Sequence, residues 1–99
     1  MKFSLFPAEG LDSRIADAAE WYEFKQRGLG LKFIEDWESS VDYLLRNPYS
    51  YQKKHKHFRY AYLKIFPHVI VYEIEQQLVI IYDVVHAKQH PKKRLLKIT

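Results

Sequence analysis

Apolar residues recur at two different periods along this chain, and the change of period divides it in two. From residue 8 onward, Leu11, Ile15, Ala18 or Ala19, and Tyr22 return at steps of three or four, while Asp12, Asp17, Glu20 and Glu23 fill the other side. That spacing predicts an amphipathic helix. Gly28-Leu29-Gly30 breaks it, as glycine does when it supplies a positive φ past a helix C-terminus. A second helix follows on Ile34, Trp37, Val41 and Leu44, its stripe widened by Phe33 and Leu45. Asn47-Pro48 stops it, because proline disfavours helical geometry in the residue before it. Two such helices joined by a short glycine turn predict an antiparallel hairpin.

Beyond Pro48 the pattern shortens. Residues 49–57 read as a polar, basic loop. Residues 58–66, 69–74 and 78–85 are aromatic and β-branched runs, separated at Phe66-Pro67 and Gln76-Gln77. They predict three strands in an antiparallel meander. Residues 2–6 add a short first strand with Phe3 and Leu5 on one face, ended by Pro7. The order is β-α-α-β-β-β, an α+β arrangement whose sheet is covered by the helical hairpin. In a meander the outer two strands run the same way. Arg59, at the start of one, and His86, at the end of the other, therefore fall at opposite ends of the sheet. His86 and Lys88 belong instead near Phe66-Pro67-His68.

A length of 99 residues predicts one domain, spanning 1–99. There is no cysteine, which excludes disulfides, thiolate metal sites and cysteine nucleophiles and fits a cytoplasmic location. No apolar run approaches the ~20 residues of a membrane span, and the N-terminus does not read as a signal peptide. Aromatics reach 16% of the chain, enough to fill a small core and leave some on a binding surface.

Charge changes the picture more than composition does. Residues 1–47 carry six Lys/Arg against nine Asp/Glu, a balance of −3; residues 48–99 carry ten against three, a balance of +7. No acid stands between Pro48 and Tyr72, or after Asp83. Such asymmetry points to an acidic partner such as nucleic acid, the ribosome or an acidic protein.

Motifs narrow the chemistry. His55-x-His57 places two imidazoles on one segment, but no third ligand stands at a motif spacing, and a solvated basic loop explains it better. Phosphate loops of the GxxxxGK[ST] or GxGxxG type and the GxSxG elbow are absent, and the acids lie mainly on helical polar faces. No metal or cofactor is expected. RNA cleavage needs a base, cations at the phosphate and an acid for the leaving oxygen. His86, His90, Lys88 and Lys64 are of the right types for these roles, although a strand-capping histidine among solvated lysines is the plainer reading.

An ordered set of residues carries a resemblance. Trp21-Tyr22-Glu23, Gly28-Leu29-Gly30, Phe33, Asn47-Pro48, Tyr51, Arg59, Leu63, Phe66-Pro67, Ile70, Tyr72, Val85-His86 and Pro91 together resemble the RelE/ParE superfamily of toxins from type II toxin–antitoxin systems, also called plasmid stabilisation proteins. The resemblance implies a sheet packed by a helical hairpin, growth inhibition, and a cognate antitoxin that binds and neutralises the chain as a hetero-oligomer. It also implies one of two targets. RelE-like members cut mRNA on the ribosome; ParE-like members poison DNA gyrase without nuclease chemistry. The lysine pair of the mRNA-cutting members falls on Tyr60 and Tyr62 here, their middle-strand arginine on Val69, a later arginine near Lys88 and a terminal tyrosine near Arg94. His86 lies within one position of a histidine catalytic in some related nucleases. Arg59, His86 and Lys88 match the ParE-like pattern better. The candidates are thus His86 and Lys88 for chemistry. Arg59, Lys64, Trp21, Tyr22, Lys92 and Lys93 are candidates for contact with target or antitoxin; Trp21, Tyr22 and Trp37 fit the part of aromatic anchor and that of core filling equally well.

Overall fold

The computed structural model describes residues 2–89 and Pro91. Strand β1 (Ser4–Pro7) leads into helix α1 (Leu11–Lys25) and helix α2 (Leu29–Arg46), then β2 (Lys53–His55), β3 (Phe58–Tyr62), β4 (His68–Glu75) and β5 (Leu78–His86). Short 3₁₀ turns occupy Pro48–Ser50 and Ala87–Gln89. The strands form one sheet in the order β1-β5-β4-β3-β2. The meander β3-β4-β5 is antiparallel as the pattern predicts, with β4 in the middle.

Two features go beyond the pattern. Strand β1 joins the sheet in parallel beside β5, with Ser4 opposite Leu78 and Pro7 opposite Ile81. The chain between them runs through the helical hairpin and then β2, β3 and β4, a connection long enough for the crossover that a parallel pair requires. The segment expected as a basic loop contains β2, paired to β3 at the other edge of the sheet. Strand β3 also ends at Tyr62 rather than at residue 66. The N–H groups of Lys64, Ile65 and Phe66 turn away from the ladder and donate to the Asp36 carboxylate, at 3.2, 3.0 and 2.9 Å.

The helices cover one face of the sheet. Leu11, Ile15, Phe33, Val41 and Leu44 meet Ala61, Ile70, Tyr72, Val79, Ile81 and Val84 there. On the other face Phe58, Val69, Val71 and Val85 form a smaller apolar cluster flanked by Tyr60 and Tyr82. Strand β5 is irregular between Ile81 and Asp83, where the register with β4 shifts at Val71/Tyr72. The added residue reverses the alternation, so that both Ile81 and Val84 face the helices.

The two glycines of the helical turn do different work. Gly28, at φ 87, is the left-handed residue that starts α2. Gly30 lies inside α2, where a Cβ would stand 2.6 Å from the Ala19 carbonyl oxygen; its lack of a side chain lets the helices touch. Glu23 of α1 accepts the N–H groups of Gly28 and Gly30, satisfying donors at the α2 N-terminus.

Candidate functional site

The side chains that meet at one end of the sheet come from α1, β4, β5 and the turn after β5. Arg14, Asp17, Trp21, Tyr22, His68, His86 and Lys88 line an open groove of about 610 Å³. The register explains the assembly. His68 opens β4 and His86 closes β5, so antiparallel pairing sets them opposite each other. The Ala87 N–H donates to the Pro67 carbonyl at 2.8 Å, which holds the following turn against this end. The expected proximity of His86 and Lys88 to Phe66-Pro67-His68 is what the structure has.

The two imidazoles differ in environment. His68 is buried, its ring 5.0 Å from Phe33, 5.8 Å from Tyr22 and 5.2 Å from His86. Burial, aided by the neighbouring His86, pushes its pKa down from 6.5 to about 4, against a smaller opposing pull from Asp36. His68 is therefore neutral at physiological pH, and its Nδ1 has no hydrogen-bond partner. His86 is half-buried and faces the groove. Its Nδ1 accepts the Lys88 N–H at 3.1 Å, and its own N–H donates to Gln89 Oε1 at 3.3 Å. With Nδ1 accepting, the neutral ring carries its proton on Nε2.

Arg14 forms part of the groove wall from α1. Its Nε lies 2.7 Å from Asp83 Oδ1, and its Nη2 donates to the Tyr82 carbonyl at 3.0 Å. The pair ties α1 to the irregular part of β5. Trp21 is 56% exposed, edge-on to Tyr22, with the Lys25 ammonium 5.0 Å above its ring. Tyr22 reaches into the core, against Phe33 and Phe66.

The structure thus brings together four of the residues proposed from sequence: His86, Lys88, Trp21 and Tyr22. It separates Arg59 and Lys64 from them. Arg59 pairs with Tyr72 near the other end of the sheet, donates to the Tyr51 carbonyl and lies 5.2 Å from the Tyr49 ring. Lys64 sits in the β3–β4 turn, 5.9 Å from the Tyr43 ring. Trp37 is only partly exposed and packs against the core. Lys92, Lys93, Arg94 and His90 lie outside the described residues. Sequence reasoning placed His68 beside His86 without giving it a role, and missed Arg14 and Asp36. Asp36 had a signal: it stands between Phe33 and Ser40 within the buried stripe of α2, where an acid needs partners. Arg14 had none, because its partner is 69 positions away. No cluster of metal-binding side chains occurs among the described residues.

A sheet with a helical hairpin on one face and a groove at its end is the α+β architecture of RelE/ParE toxins. Over residues 11–91 the chain matches the family described as the ParE toxin of type II toxin-antitoxin system, parDE, and it belongs to that family. It is the toxin component of a type II toxin–antitoxin module, with an antitoxin as its partner. Among solved structures, a chain of the chromosomal ParDE TA system from P. aeruginosa is similar, with a TM-score of 0.74 over 86% of this chain and 96% of that one. At 15% identity the likeness is one of fold. No curated protein matches the chain in sequence. Among the described residues no helix is long and apolar enough to cross a membrane.

Proposed function

We propose that this toxin inhibits DNA gyrase and has no mRNA-cutting chemistry, and that the groove around Trp21, Tyr22, His86 and Lys88 receives its antitoxin. One observation carries the target reading. Strands β3, β4 and β5 hold a single cation, Arg59. Its ladder partner Tyr72 faces the helices, and its guanidinium is engaged by the Tyr51 carbonyl beside the Tyr49 ring. The positions that would carry the lysine pair are tyrosines 60 and 62, and Val69 is buried in the outer cluster. Cutting RNA requires fixed cations around the phosphate in flight, and this sheet face offers aromatic and aliphatic groups instead.

A ribosome-dependent nuclease is the second reading, favoured by the His68–His86 pair beside Lys88. Two things weigh against it. His68 is held neutral in the core, and Nδ1 of His86 is taken up by the Lys88 backbone.

The experiment is a pair of assays on purified protein. Gyrase should lose supercoiling activity and accumulate cleaved DNA, while toeprinting on translating ribosomes should show intact mRNA. Normal gyrase activity with new codon-dependent cuts would reverse the assignment. Expression of the gene alone should arrest growth, and co-expression of the antitoxin should relieve the arrest. Growth unaffected by the chain alone would mark it as an antitoxin-binding relic.

A further inference from the structure

We propose that the β2–β3 hairpin is a docking site for the phosphate backbone of duplex DNA. Lys53, Lys54 and Lys56 are all exposed within four residues of the hairpin. Among the described residues none of the three is in an ion pair. Glu73, the acid that contacts this hairpin, is occupied by the His57 imidazole at 3.0 Å and by the Tyr82 hydroxyl. The patch is therefore positive charge without an ion pair among the described residues, at the edge of the sheet, the electrostatic footprint of a polyanion site.

Edge protection is the competing explanation for lysines here. Strand β2 is the last strand of the sheet, and charged side chains on an edge discourage pairing with other chains. That accounts for Lys53, which stands in the ladder opposite Arg59. It does not account for Lys56, which lies in the turn beyond the ladder. Lys56 adopts φ 53, a left-handed conformation in which glycine or asparagine is usual, yet a lysine stands at the tip. Lys54 falls at the register shift between Lys53 and His55, outside the regular pairing.

The size of the patch and its charge favour duplex DNA over RNA or a single strand. Strand β3 is itself paired to β4, so the hairpin meets the phosphates from outside the grooves. A B-form duplex offers one charge per about 1.7 Å of axis, whereas double-stranded RNA is held across two successive minor grooves, further than one hairpin reaches. Single strands are held by open aromatic faces. Around the hairpin, Phe58 is buried, and Tyr49, although 62% exposed, already has Arg59 over its ring and Phe3 at its edge.

The test measures binding of the full chain to a fluorescent DNA duplex by anisotropy, with no gyrase present, so that its outcome is separate from that of the target reading. Wild type should bind in a salt-dependent manner. The K53Q/K54Q/K56Q variant should lose at least about tenfold in affinity, and its log–log salt slope should shrink by about 2–3, near 0.9 per lost phosphate contact. K32Q, at an exposed position on α2, should bind as wild type does. Circular dichroism should show the triple variant folded. Unchanged binding by the triple variant overturns the proposal, as does tighter binding to an RNA duplex or a single strand of equal length. A triple variant that aggregates while its soluble fraction binds DNA normally makes the lysines edge protection and also overturns it.

Discussion

The Asp36 carboxylate of α2 accepts the Phe66 N–H at 2.9 Å, and the same group takes the N–H donors of Lys64 and Ile65. One buried acid thus satisfies the three backbone donors of the β3–β4 turn, thirty residues along the chain. Phe66 and His68 are placed by that turn, and through them one end of the groove.

Removing this acceptor leaves three donors without their partner. Asp36→Ala should lower unfolding stability by about 3 kcal/mol or more, since each charge-assisted bond contributes about 1.5–3 kcal/mol and they do not add fully. Asp36→Asn keeps one acceptor oxygen and should lose less. Urea denaturation of both variants checks the order.

Gly28 and Gly30 should separate cleanly. Gly30→Ala drives a Cβ into the Ala19 carbonyl at 2.6 Å and forces the helices apart, at a cost of about 1–3 kcal/mol. Gly28→Ala meets nothing within 4 Å and bears only the strain of its φ of 87, about 1 kcal/mol. Thermal melts should rank Gly30→Ala as the less stable.

Stability should fall with acid below neutrality because of His68. Its folded pKa is about 4, so the native state stays unprotonated where the unfolded histidine, at 6.5, takes up a proton. The unfolded state therefore binds more protons between these values, and stability rises with pH across that window. The contribution is complete above pH 6.5 and is lost progressively down to pH 4. It amounts to about 2 kcal/mol between neutrality and pH 5. Urea midpoints of wild type and His68→Gln, compared across that range, should show a shallower pH dependence in the variant.

The neighbours Trp21 and Tyr22 should behave oppositely. Trp21→Ala, at an exposed position, should change stability by less than about 0.5 kcal/mol yet weaken antitoxin binding by about tenfold or more. Tyr22→Ala removes a ring packed on Phe33, Phe66 and His68 and should cost about 3 kcal/mol. Calorimetric titration with the antitoxin and thermal melts together resolve the two.

The charge split also resolves in space. The acidic half builds β1 and the helices. The described cations of the basic half sit at the rim: on the β2–β3 hairpin, in the β3–β4 turn and after β5. The centre of the sheet is aromatic and aliphatic.

By itself the sequence determined both helices, the three-strand meander and the meeting of His86 with His68. Those follow from local periodicity, and from antiparallel pairing once the turns are known. The tertiary structure alone decided the parallel seat of β1, the pairing of β2, and the partners of Arg14 and Asp36. Strand β1 could have closed either edge, because four residues carry too little pattern to choose. Arg14 meets Asp83, and Asp36 meets the β3–β4 turn, only after the helical hairpin has docked on the sheet. Periodicity records which face is buried, but not which group on a distant element will satisfy a charge placed there.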